Sequence, residues 1–119
     1  MAKLLEIQPV LPSANIERDV KWYQENLGFE CWSEDNMYAV LKREHLWIHL
    51  QWHANTEDDP LLGGSVIKIF VEDIKHYFSE FLERGVVEPS KLNMDTPWGT
   101  NEFGFYDLNN NAIFIVEDR

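Results

Sequence analysis

Apolar residues recur along this chain with two different periods, and the switches between them mark its elements. Ile16, Val20, Tyr23 and Leu27 fall at helical spacing between Asn15 and Gly28. Asn15 suits an N-cap, Glu17 complements the positive end of the helix dipole, and Gly28 can adopt the left-handed backbone of a C-cap. A second stripe, Ile74, Tyr77, Phe78, Phe81 and Leu82, runs between a capping Asp73 and a terminating Gly85. Around these helices the chain turns β-branched and aromatic, which predicts strands over residues 4–11, 29–32, 38–42, 46–52 and 66–71. A short extended piece is expected over 86–89. Pro9 and Pro12 cannot donate ladder hydrogen bonds, so the first strand is expected at an edge or next to a bulge.

The last stretch, residues 97–117, reads as a hairpin entered through Trp98-Gly99. Its turn is Asp107-Leu108-Asn109-Asn110-Asn111, whose Asp and Asn residues tolerate tight backbone turns. Residues 54–64 form an acidic linker that carries Glu57-Asp58-Asp59-Pro60 and ends in Gly63-Gly64. On either side of it the order strand, helix, then about three strands occurs twice. The two caps, Asn15 and Asp73, lie 58 residues apart (73 minus 15), and the terminating glycines 57 (85 minus 28). This is an internal repeat of structure.

Strand parity separates two kinds of surface. In residues 46–52, Leu46, Ile48, Leu50 and Trp52 share one face, which suits packing on a helix. Trp47, His49 and Gln51 share the other, an aromatic and polar mixture suited to a partly hydrated cleft.

With 119 residues the chain has the size of one domain. Its 21 acidic against 10 basic residues give a formal net charge of −11. Phosphate recognition needs a basic face, so nucleic acid is excluded as a partner, while cationic ligands are favoured. No apolar run is long enough to span a membrane and no signal-peptide pattern opens the chain. Cys31 is the single cysteine, which fits a reducing cytoplasm. No Ser-His-Asp arrangement, phosphate loop or Cys-His pair points to nucleophilic catalysis.

Three stretches taken together resemble a known family. They are V-L-P-S-A-N-I-E-R-D-V-K-W-Y-Q-E-N-L-G-F at 10–29, V-E-D-I-K-H-Y-F-S-E-F-L-E-R-G-V at 71–86, and W-G-T-N-E-F-G-F-Y-D-L-N-N-N-A-I-F-I-V-E at 98–117. Their order and spacing are similar to the vicinal-oxygen-chelate superfamily of glyoxalases, bleomycin-resistance proteins and extradiol dioxygenases. The bleomycin-resistance branch is the most similar. Leu108 replaces the family's turn proline, and Asn111 is aligned with its glycine.

The resemblance implies an α+β fold in which paired βαβββ modules form cupped mixed β-sheets with helices outside. One domain would span 1–119, with modules at about 1–53 and 65–119. It also implies a homodimer. Metal-dependent relatives place four ligands in the cup, and carrying those places over gives Gln8, His49, Val66 and Phe114. Val66 and Phe114 have no lone pair, so neither a metal nor another cofactor is expected, and Gln8 and His49 remain as the only metal candidates.

The implied function is metal-independent binding of a small cationic organic molecule, that is, antibiotic resistance by sequestering a drug in a homodimer cleft. The alternative is a metal-dependent lyase or dioxygenase with an altered site, in which His53, Glu102 or a ligand completes the coordination. Candidate ligand-binding residues are Trp32, Tyr38, Trp47, His49, Lys68, Phe70, Trp98, Glu102 and Phe114. Each has a structural alternative: the aromatics also suit a dimer interface, His49 a hydrogen-bonded wall, and Lys68 with Glu102 an internal ion pair. A cup filled by its own side chains would have no accessible cavity.

Overall fold

Both helices start and stop at the residues whose chemistry suits a cap. In this computed structural model, which describes residues 1–61 and 64–119, Asn15 Oδ1 accepts from Arg18 N at 3.0 Å ahead of α1 (Ile16–Leu27). Gly28 closes that helix at φ 72°. Asp73 accepts from His76 N at 3.4 Å ahead of α2 (Ile74–Arg84), and Gly85 closes it at φ 80°. Leu62 and Gly63 of the expected linker lie outside the described residues.

The strands are β1 (Val10–Ser13), β2 (Glu30–Glu34), β3 (Tyr38–Arg43), β4 (Leu46–Trp52), β5 (Val66–Phe70), β6 (Thr100–Tyr106) and β7 (Ala112–Asp118). They form two sheets, ordered β1-β4-β3-β2 and β5-β7-β6. In each, the first strand of the module runs parallel to the last, with Val10 opposite His49 and Lys68 opposite Phe114. The equivalent positions Val10 and Lys68 are 58 residues apart (68 minus 10), the offset of the helix caps.

Two expected strands differ. The first begins at Val10 rather than at residue 4, and residues 1–9 have no regular structure. His49 N donates to Pro9 O at 3.0 Å, but Pro9 has no N–H to continue the ladder. The arm before it leaves Leu4, Leu5 and Ile7 in solvent. The extended piece at 86–89 does not form either. Val87 turns into the core, and Pro89 opens a single 3-10 turn, Pro89–Lys91. The second sheet therefore has three strands, with one isolated bridge, Asn93 to Glu102, where a fourth was expected.

One face of each sheet packs on the helices. Leu11, Leu41, Ile48 and Leu50 meet Ile16, Val20, Tyr23 and Leu27 in a core that continues through Ile74, Phe78, Phe81, Phe103, Ile113 and Ile115. Each such side chain contributes about 1.5–3 kcal/mol by leaving water. The opposite faces have no such cover. The radius of gyration, 15.3 Å, exceeds the roughly 13.5 Å expected of a compact chain this long. The molecule is an open plate measuring 44 × 43 × 25 Å.

Polar contacts join the modules. Asp107, Asn109 and Asn111 of the hairpin turn are buried: Asn109 Nδ2 donates to Asp19 Oδ2 at 2.7 Å, Tyr23 Oη–H to Asp107 Oδ2 at 2.6 Å, and Asn111 Nδ2 to Pro12 O at 3.1 Å. The glycine-like place in this turn is Asn110, at φ 62°, and not Asn111, which is wholly buried and bonded to Asp107. On the other side of the helices, Arg43 grips Glu80 with two bonds of 2.7 and 2.8 Å while also donating to Leu27 O at 2.7 Å. Arg84 adds a third bond to Glu80 at 2.8 Å.

Candidate functional site

The open face of the first sheet carries Trp32, Tyr38, Lys42, Trp47 and His49. Trp32 reaches it through an irregularity in β2, where pairing skips from Cys31–Leu41 to Ser33–Val40. The extra residue bends this edge strand, and Trp32 meets Trp47 edge-on at 5.6 Å between ring centroids. Trp32 remains 69% exposed, so the two rings form a wall and not a core. Burial, then the neighbouring Glu34, holds the Cys31 thiol above its ordinary value and so keeps it protonated.

His49 is bonded at both ring nitrogens. Gln8 Nε2 donates to Glu6 Oε1 at 2.9 Å, which turns Gln8 Oε1 toward His49 as an acceptor. His49 Nε2–H therefore donates to Gln8 at 2.6 Å, and Nδ1 is bonded to Tyr38 Oη at 2.6 Å. The two bonds fix the orientation of the His49 ring as part of the wall.

The open face of the second sheet carries Val66, Lys68 and Phe70 on β5, Phe114 on β7, and Glu102, Gly104 and Tyr106 on β6. Phe114 lies flat over Gly104, where a Cβ would come within 2.7 Å of the ring. Only glycine leaves room for the phenyl there. The expected Lys68–Glu102 pair does not form. β7 separates the two strands, and Glu102 accepts instead from Thr100 Oγ1 at 3.1 Å. Trp98 projects from the loop before β6 and is 63% exposed.

A groove of about 420 Å³ runs where the sheets meet, lined by Gln8, Pro9, Trp47, Lys68 and Phe70 among others. A second cavity of about 300 Å³ lies between the modules and includes Arg43, Phe70, Tyr77 and Phe81. Neither holds the remaining candidates. Trp32, Tyr38 and His49 stay on one sheet, Glu102 and Phe114 on the other, and Trp98 in the loop before β6. Sequence reasoning missed Lys42 and Gly104. Lys42 is the register partner of Trp47 across the β3–β4 pair, so strand parity carries the signal for it. Nothing in the sequence pattern marks Gly104.

The four places where metal-dependent relatives carry ligands do not supply a donor set. Val66 and Phe114 are hydrocarbon, and Gln8 and His49 are bonded to each other. Among the described residues, no group of three or more His, Cys, Asp and Glu side chains converges on a point. The acidic linker is tied back to the histidine that precedes it. His53 Nδ1 and Ala54 N both lie 2.8 Å from Asp59, contacts that hold its carboxyl below the usual range.

Two mixed sheets, each packed on the helices by one face and open on the other, define the fold class. The chain belongs to the Glyoxalase/Bleomycin resistance protein/Dioxygenase superfamily, whose family model matches residues 6–115. It is 26% identical to the bleomycin resistance protein of Geobacillus stearothermophilus, over 96% of this chain and 97% of that one. Bleomycin resistance proteins of Staphylococcus aureus match equally well. A crystal structure of bleomycin-binding protein complexed with bleomycin superposes with a TM-score of 0.80 at 19% identity, covering 98% of this chain and 100% of that one. The bleomycin-binding protein from bleomycin-producing Streptomyces verticillus, complexed with copper(II)-bleomycin, gives 0.78 at 21% identity, with full coverage of both chains. No helix among the described residues is long and apolar enough to cross a membrane.

Proposed function

We propose that this chain is a drug-sequestering protein of the cytoplasm, acting as a homodimer and binding a cationic, bleomycin-like molecule without a resident metal or bond chemistry. The observation that carries this reading is the division of the candidate residues between two open sheet faces. Trp32, Tyr38, Trp47 and His49 form one half-site, and Lys68, Phe70, Trp98, Glu102 and Phe114 form the other. A second copy laid across the plate sets the first face of one chain against the second face of its partner, which makes two equivalent clefts.

Three further features support it. The exposed arm with Leu4, Leu5 and Ile7, and the exposed Val66, Phe70 and Trp98, are apolar surface of the kind that marks an interface. The net charge of −11 raises the local concentration of a cationic guest. The relatives that match along nearly the whole chain are bleomycin resistance proteins. Large aromatic rings with polar edges suit a flat conjugated guest.

Mass spectrometry of the drug tests sequestration against chemical modification. Bleomycin incubated with the protein and released by denaturation is expected at unchanged mass, and expression in a sensitive bacterium is expected to raise the drug concentration that arrests growth. A shifted drug mass, or no protection, overturns the reading.

A further inference from the structure

The Trp32–Trp47 wall already holds a cation. Lys42 Nζ lies 5.0 Å from the Trp47 ring centroid and 5.6 Å from that of Trp32, within reach of both π faces. Its position is unusual for a lysine with a carboxylate close by. Glu30 stands directly opposite Lys42 across the β2–β3 pair, a placement at which opposite charges ordinarily join. Among the described residues Lys42 forms no ion pair, so its ammonium is held by the indoles in preference to Glu30. Beside it opens a cavity of about 310 Å³ whose lining includes Glu30, Glu44, Arg43, Lys42 and Trp32. The side chain therefore has two seats within its own length: the indole faces, and the Glu30 carboxylate opposite it at the edge of this cavity.

We propose that Lys42 is a built-in stand-in for the guest's cation, which a bound organic cation displaces from the tryptophan wall toward Glu30. This rests on the ligand-binding reading above and deepens it, by naming the recognised group as a quaternary or alkylated ammonium and Lys42 as the residue that sets its affinity. A guest cation gains the two indole faces only by giving up the Lys42 contact with them. The lysine thus raises the threshold for weak, adventitious cations in a chain whose overall charge attracts all of them. Glu30 lowers the cost of the exchange by receiving the displaced ammonium.

The test is titration of the full chain with phenyltrimethylammonium, followed by tryptophan fluorescence and by calorimetry. One cation–π contact of this kind corresponds to about two- to thirtyfold in affinity. Lys42→Met, which keeps the side-chain length and removes the charge, is expected to tighten binding by that factor. Glu30→Gln is expected to weaken it, because the displaced ammonium loses its second seat. Weaker or unchanged binding in Lys42→Met overturns the proposal, as does the absence of saturable binding in both wild type and Lys42→Met. Circular dichroism identifies a variant that has not folded, and Lys42→Gln then takes its place with the same expected sign. Bleomycin titrated in parallel separates the two claims. Tighter phenyltrimethylammonium binding in Lys42→Met without any bleomycin binding would refute the drug reading and leave the stand-in intact.

Discussion

Tyr23 donates its hydroxyl to Asp107 at 2.6 Å, across 84 residues of sequence, and so ties the first helix to the last turn. Burial first, and then Asp107 beside it, drives the Tyr23 hydroxyl far above its ordinary value of 10.0, so it remains a donor throughout the accessible pH range. Tyr23→Phe keeps the ring and leaves a carboxylate oxygen with one donor fewer. The expected loss is about 1.5–3 kcal/mol of unfolding free energy, measured by urea denaturation. A loss confined to a few tenths would mean that the contact is not what couples the modules.

That contact also shows where the sequence is legible. The helices follow from apolar spacing and caps, and their limits are marked by Asn15, Gly28, Asp73 and Gly85. The hairpin follows from its turn residues. The role of that turn does not, because Asp107, Asn109 and Asn111 look like solvent-facing turn formers until their partners Tyr23, Asp19 and Pro12 are known. Such long-range partners leave no periodic trace. The strands are less legible than the helices for a similar reason. Pro9 ends a ladder only because β4 is its partner, and 86–89 stays out of the sheet because Val87 is drawn into the core. Strand parity sets most of the candidate residues on cleft-facing positions, but parity cannot tell one sheet from the other.

Gly104 is expected to be intolerant of any side chain. A methyl group there meets the Phe114 ring at 2.7 Å and must push it into the open face. Gly104→Ala should cost about 1–3 kcal/mol and displace the Phe114 ring resonances, with the rest of the spectrum conserved. Unchanged Phe114 resonances would show that the ring does not rest on Gly104.

Acid should loosen the joint between the modules. Burial raises the Glu80 value, but the bonds from Arg43 and Arg84 outweigh it and hold the carboxyl below its ordinary 4.5. A group whose folded value is depressed stabilises the fold fully above its unfolded value and loses that contribution as the pH falls through the folded one. Melting temperature should therefore drop on acidification below 4.5, and drop less steeply in Glu80→Gln. Asp59 and Glu117 are depressed as well, so the variant should keep part of the slope. Identical slopes in both proteins would remove Glu80 from the account.

Sedimentation velocity should show a dimer at micromolar concentration. Replacing Phe70 and Trp98 by serine should shift it to monomer, because both are largely exposed on the face assigned to the partner. Sedimentation as a monomer in the wild type would leave the two half-sites unjoined and refute the shared cleft.

The central claim is that aromatic residues on two sheets, and not a metal, hold the guest. Calorimetric titration of bleomycin into the protein, before and after dialysis against a chelator, tests it most directly. Saturable binding of one drug per chain is expected, unchanged by chelation and weakened at least tenfold, or about 1.4 kcal/mol, by Trp47→Ala. Binding that vanishes with the chelator and returns with a divalent ion, or no saturable binding at all, would contradict it.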